Sequence, residues 1–233
     1  MTSPTIGIVC GLESERQALG PDVLGDDRIA VSVSGARPAA AEDAAVAMAR
    51  DGVRVLLSWG LAGGLDARHQ SGDLVMPRVV VGEAGGQWST TPVAFEPQDR
   101  VPSLSAPTRL VGLESIVFNA DEKRSLAVAS GASVADMESH RVARAGAAYG
   151  VPIVVARAVG DAHDRALPRL AADAIGPSGK PRIGHVLLGL ARRPTDLPAL
   201  VHAAQDSRRA HGALGELATP LVRALLASVS PAR

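Results

Sequence analysis

Residues 134 to 164 read Val134-Ala-Asp-Met-Glu-Ser-His-Arg-Val-Ala-Arg-Ala-Gly-Ala-Ala-Tyr-Gly-Val-Pro-Ile-Val-Val-Ala-Arg-Ala-Val-Gly-Asp-Ala-His-Asp164. The stretch opens with an acidic triplet at a strand end, Asp136-Met137-Glu138. An alanine-rich helical run follows from His140 to Tyr149. Gly150 and Pro152 stop that helix and open an apolar, β-branched strand from Ile153 to Val159. Gly160 then bares the backbone and Asp161 stands at the strand's carboxyl end. Strand, helix and strand in this order predict a parallel α/β sheet. Such sheets bind ligands in the crevice outside the carboxyl ends of their strands. Glu138 and Asp161 are delivered to that rim by successive strands.

Working outward, the same grammar recurs. Thr5 to Cys10, Ile29 to Ser34, Val53 to Ser58, Leu74 to Val81 and Leu110 to Leu113 read as strands. Pro38 suits the first turn of a helix that Ala39 to Arg50 continues. A helix capped by Asp121 ends at Gly131. Residues 184–192 and 197–230 read as C-terminal helices, the second interrupted near Gly212 to Gly215 and at Pro220. The Gly-, Pro- and Ser-rich stretch 83–107 predicts a long surface excursion, and residues 165–183 a lid or rim. The expectation is one domain over residues 1–233: a mixed, mostly parallel central sheet flanked by helices.

Composition narrows the function. Hydrophobic residues make up 46% of the 233-residue chain and aromatics 2%, so the core must be built from Ala, Val and Leu. Lys+Arg and Asp+Glu are 24 each, for a formal net charge of +0. That balance gives no basic excess for a nucleic-acid backbone. A single cysteine, Cys10, excludes an internal disulfide framework and fits a reducing, cytoplasmic setting. The N-terminus lacks a basic segment before its apolar run, and no apolar run approaches the ~20 residues of a membrane span. The 6 His residues show no His-x-x-x-His pair and no partnered Cys, so no metal site and no cofactor are expected. No Gly-x-Ser-x-Gly elbow is present.

Two stretches remain as candidate chemistry. Gly60-Leu-Ala-Gly-Gly64 follows a strand but lacks the spacing of a dinucleotide fingerprint and the Lys-Ser/Thr of a P-loop. It reads as close approach of backbone to a small ligand or as tight packing. Glu13 and Glu15 lie just past the first strand, at the same rim as Glu138 and Asp161. They read either as site carboxylates or as a solvated helix start.

In chain order, Ile6-Gly-Ile-Val9 with Glu13-Ser-Glu15, Gly60-Leu-Ala-Gly-Gly64, Gly72-Asp-Leu-Val75, Val134-Ala-Asp-Met-Glu138 and Arg157-Ala-Val-Gly-Asp161 resemble the motifs of the nucleoside phosphorylase superfamily. The likeness is to its nucleosidase branch, typified by methylthioadenosine/adenosylhomocysteine nucleosidase, and spans roughly residues 5 to 165. Asp164-Arg-Ala-Leu-Pro168 and Leu190-Ala-Arg-Arg-Pro-Thr-Asp-Leu-Pro-Ala-Leu200 resemble a narrower group, the hopanoid-associated phosphorylases, implicated in removing adenine from adenosylhopane.

This resemblance implies a nucleoside phosphorylase-like fold, a small-molecule nucleoside substrate and a homodimer. It implies that Glu15 activates water and that Asp161 protonates the departing purine. Met137 and Glu138 match the pair that contacts ribose. Leu61 and Gly63 fall in the substrate-facing turn, and Val117 is the counterpart of a backbone contact to the purine edge. Phosphorylases of the superfamily place an Arg before the Gly-rich turn and a Ser within it. Here those positions are Ser58 and Leu61, which weakens phosphate as nucleophile, although Arg37 could compensate and keeps phosphorolysis open. An inert nucleoside-binding module is the non-enzymatic alternative.

Two expectations follow for the geometry. A direct Arg157–Asp161 pair would hold Asp161 ionised and oppose a general acid. Arg157 should therefore point to another carboxylate or to the substrate. A lipidic 5′ substituent would need an apolar groove, with Leu12, Trp59 and Leu61 at the sugar end, residues 83–107 and 165–183 as walls, and transient access to a membrane surface.

Overall fold

A computed structural model describes residues 4–96, 98–106, 108–117, 119–165 and 197–229. The apolar run Ile6–Cys10 forms β1, from which the sheet grows in both directions. Ile29–Val33 (β2) and Val55–Gly64 (β3) pair with it in parallel. Ile153–Asp161 (β9) lies parallel to β3 on the other side, with the short Leu74–Val75 (β4) antiparallel beyond it. The far end of β3 pairs antiparallel with Val134–Asp136 (β8). The sheet then continues through Arg109–Gly112 (β7), Val79–Gly82 (β5) and Gln87–Ser89 (β6). The result is the expected mixed, mostly parallel sheet flanked by helices.

Period-two alternation sorts side chains to two faces. Ile6, Ile8, Cys10, Val55, Leu57, Trp59, Val154 and Ala156 point to one face. There they meet Glu13–Gln17 (α1), Gly20–Leu24 (α2) and the long helix Leu197–Val229 (α6). Val9, Leu56, Val155 and Val159 point to the other. That face is covered by Pro38–Arg50 (α3) and Ser139–Tyr149 (α5), which also pack on each other. Ala120–Ser130 (α4) precedes β8, and Gly131 ends it with a left-handed φ of 63°.

Several boundaries differ from the sequence reading, each for a physical reason. The strand expected to stop at Ser58 continues to Gly64, because its Gly-rich end still pairs with β9 and β8. Residues 74–81 split into two strands around Pro77, whose ring removes a ladder donor. Asn119, not Asp121, caps α4, its side chain accepting from the Glu122 N–H at 2.8 Å. α2 was missed. α6 runs unbroken through Gly212, Gly215 and Pro220, held by fully buried Leu214, Leu217, Leu221 and Leu225. α6 is also long and apolar enough to cross a bilayer, with a mean hydropathy of 1.3 over its most apolar window. Its buried leucine stripe instead packs against the sheet. The expected helix at 184–192 and most of the 165–183 rim lie outside the described residues.

Candidate active site

The carboxyl ends of β1, β3, β8 and β9 open on one cavity of about 300 Å³. That is at the small end of ligand sites, which span about 300–1,000 Å³. Glu15, Leu61, Gly63, Val117, Met137, Glu138 and Asp161 all line it, with Lys123, Asp136, Leu12 and Ala36. Alternation along β3 and β9 explains one end. Ser58, Gly60 and Arg157 fall on the α5 face, and Gly60 is the register partner of Arg157. A Cβ on Gly60 would sit 2.6 Å from both the Arg157 guanidinium and the Glu15 carboxylate. The bare backbone is what lets the two side chains share that space.

Glu15, 3% exposed, is held by the backbone. Its Oε2 accepts from the N–H groups of Gly11 and Leu12, each at 2.8 Å, and its Oε1 from that of Leu61 at 2.8 Å. The fully buried Arg157 donates through Nη2 to Ser58 Oγ at 2.6 Å and Ser139 Oγ at 3.2 Å. The same nitrogen lies 2.6 Å from Asp136 Oδ2 and 3.6 Å from Glu138 Oε2. Asp136 in turn accepts from the N–H and the hydroxyl of Ser139 at the start of α5. Arg157 thus points to carboxylates other than Asp161, as the sequence reading required.

Three carboxylates around one guanidinium are electrostatically unbalanced. Burial pushes Glu138 up to about 8; Arg157 opposes the rise, while Asp136 and Glu15 add to it. In the free protein Glu138 therefore keeps its proton near neutrality and can donate to an oxygen as well as accept. Burial also raises Glu15, against the pull of Arg157 and of its three backbone N–H partners.

At the other end, Asp161 follows an irregularity in β9: Val159 pairs with Ala62 but Asp161 with Gly63, leaving Gly160 as an extra residue. Its carboxylate is ion-paired with Lys123 of α4, which is 2% exposed. Burial raises Asp161 above the ordinary carboxylate range, Lys123 opposes this, and Asp206 of α6 adds to it.

Two sequence-derived placements fail. Arg37 is absent from the cavity lining, and its Nε donates to the Ser34 carbonyl at 3.2 Å. Trp59, expected at the sugar end, is fully buried on the opposite face and donates to the Glu15 carbonyl at 3.0 Å. Strand alternation turns Trp59 into the core, whereas Leu12 and Leu61 do reach the cavity. Lys123, Ser139 and the pairing of Asp136 went unread. The one available signal was that Lys123 is one of only two lysines in the chain, the other being Lys180.

No family model matches the sequence, and no curated protein matches it. Solved structures do match the fold. The 5′-methylthioadenosine/S-adenosylhomocysteine nucleosidase of Helicobacter pylori, bound to butyl-thio-DADMe-Immucillin-A, superimposes with a TM-score of 0.67 at 15% identity, covering 98% of this chain and 100% of the other. Futalosine hydrolase from Helicobacter pylori gives 0.64 at 14% identity over 97% and 99%. The corresponding methylthioadenosine/adenosylhomocysteine nucleosidase of Neisseria meningitidis, with methylthio-immucillin-A, gives 0.64 at 14% over 96% and 99%. The chain has the mixed α/β fold of these nucleosidase and futalosine hydrolase structures.

Proposed function

We propose that this protein hydrolyses the N-glycosidic bond of an adenine nucleoside, with water as the nucleophile. The carrying observation is the state of the nucleophile end of the cavity. The N–H groups of Gly11, Leu12 and Leu61, which could have cradled an anion, are all engaged by Glu15. Asp136 and Glu138 stand behind it, and their one guanidinium is already engaged with them. A phosphate dianion would meet the Glu15 carboxylate there and, among the described residues, no free cation to offset the repulsion. Water meets no such repulsion.

In the reaction, the C1′–N9 electron pair withdraws into the purine, and the ribosyl carbon gains positive charge. Asp161 gives its proton to the imidazole-ring nitrogen of the leaving base. The water oxygen bonds to C1′ and its proton passes to Glu15. Glu138 and Met137 hold the ribose. One acid starts protonated and one base starts ionised, and solvent restores both after turnover.

For the 5′ position we propose a bulky apolar group, adenosylhopane being the candidate that the C-terminal resemblance suggests. The apolar wall of Leu12, Ala36 and Leu61 supports this. So do Leu197 and Val201, exposed near the α6 residues Ala203 and Ser207 that line the cavity. The working form is proposed to be a homodimer, which light scattering at micromolar concentration would test.

Adenine release from a series of 5′-alkylthioadenosines, with and without inorganic phosphate, tests both parts. Turnover should not depend on phosphate. Each added methylene that the site buries should tighten binding by about 0.8 kcal/mol. Strict phosphate dependence would overturn hydrolysis, and affinity that falls beyond methylthio would overturn the bulky 5′ group.

A further inference from the structure

Lys123 is a buried cation that the reaction above does not use. Its ammonium has three donors and three acceptors: the Asp161 carboxylate, the Ala162 carbonyl at 2.8 Å and the Arg165 carbonyl at 3.1 Å. A neutral amine has only two N–H groups and could keep all three contacts only if Asp161 turned its own proton toward the amine and away from the cavity. The geometry therefore calls for –NH3⁺, which leaves Asp161 rather than Lys123 to release a proton. A compact point charge with three donors meets this demand, where the planar fork of an arginine would not.

We propose that Lys123 is a positioning residue for Asp161, supplying the ammonium against which the Asp161 carboxylate forms as the acid delivers its proton. The inference rests on the nucleosidase reading. Before transfer, Asp161 carries its proton and faces the cavity beside Gly63. The O–H bond breaks, the proton goes to the purine nitrogen, and the electron pair stays on the carboxylate already paired with Lys123. The pair opposes protonation of Asp161, as a pair with Arg157 would have done, but here burial outweighs it and leaves the carboxyl raised. Lys123 then makes the protonated Asp161 a stronger acid as the O–H bond breaks. It also fixes the turn that carries Asp161, through two of that turn's carbonyls. The other charged groups around Asp161 are Asp206 from α6, paired with Arg165 at 3.0 Å and Arg209 at 3.7 Å, and His163 and Asp164 on its own turn. Glu15 and Glu138 line the cavity with Asp161, and Arg157 lies beside Glu138.

The test compares two substrates that differ only in the need for an acid. 5′-Methylthioadenosine requires protonation of its leaving group, whereas 4-nitrophenyl β-D-ribofuranoside releases a stable phenolate without it. K123M should lose about tenfold or more in kcat on the nucleoside and far less on the nitrophenyl riboside. Without the ammonium, Asp161 keeps its proton to higher pH, so the alkaline limb of kcat should move up by about 1–3 pH units. Should K123M fail to fold, K123Q removes the same charge while keeping a polar, two-donor head in the buried site. Equal losses on both substrates with an unmoved alkaline limb would reduce Lys123 to a structural residue and overturn the inference. A wild-type protein that cleaves neither substrate would instead overturn the nucleosidase reading, and this inference with it.

Discussion

Arg157 and Asp161 stand four residues apart on β9 and have no partner in common: one is bound by Asp136 and Ser58, the other by Lys123. Plain alternation would have put both on one face. The extra residue at Gly160 breaks the alternation and turns Asp161 toward α4. One strand thereby feeds two electrostatic compartments. The guanidinium steadies Asp136 and Glu138 at one end of the cavity, and Asp161 sits at the other, paired with a different cation.

Asp161→Asn should abolish turnover while largely keeping nucleoside affinity. The amide preserves a hydrogen bond to the base but has no proton to release, and general acids contribute about 10²–10⁴-fold. Single-turnover adenine release alongside calorimetric binding separates the two effects. A variant that keeps most of its kcat would remove Asp161 from the role of acid.

Gly60→Ala should damage both activity and stability. The new methyl would lie 2.6 Å from the Arg157 and Glu15 side chains, both deeply buried. Overpacking of this kind costs about 1–3 kcal/mol. Urea denaturation reads the stability loss, and kcat should fall with it because Glu15 must move. An unchanged denaturation midpoint would mean that the pocket yields more easily than its geometry indicates.

Stability should fall as pH rises from about 5 toward 8. Glu138 titrates near 8 in the folded protein against an ordinary value of 4.5. Between those values the folded chain holds more protons than the unfolded one, so raising the pH favours unfolding. Glu15 and Asp161 are shifted in the same direction. Tm measured across this range should slope downward, and Glu138→Gln, which cannot titrate, should flatten the slope. A Tm that climbs with pH through the same window would contradict the buried, proton-holding Glu138.

Glu15→Gln should cost stability as well as activity. Three N–H groups converge on the two carboxylate oxygens. An amide offers one oxygen and confronts the remaining N–H with its own NH2. A buried donor left without an acceptor costs about 1–3 kcal/mol. Chemical denaturation of this variant beside Asp161→Asn is the informative comparison, since only the first removes an acceptor from the backbone.

The core strands were legible because β-branched apolar runs bounded by Gly and Pro have few other readings. The rim carboxylates were legible because strand ends fall at predictable places once the strands are known. The end of β3 was misread because Gly60 to Gly64 has the composition of a turn. Those glycines instead make room for Glu15 and face Asp161 while the backbone goes on pairing. Lys123 was illegible for a different reason. It sits in Asp121-Glu122-Lys123-Arg124, a charged run that reads as a solvated helix face. Its burial depends on the turn after β9, some forty residues later, folding over it. The unbroken α6 belongs to the same class, since tertiary burial of its leucines outweighs the local cost of Pro220.

The way Glu15 is held has a bearing on how relatives of this protein should be judged. A carboxylate that ties the end of β1 to the end of β3 would be retained by selection for folding alone, even in a chain that had stopped cleaving anything. Finding a glutamate at this place in a newly sequenced gene therefore says little about whether its product is an enzyme. Asp161 is the more telling marker when read together with Lys123: its exchange takes no acceptor from a backbone N–H but strands a buried ammonium, so a lineage that abandoned the chemistry would be expected to lose the two together.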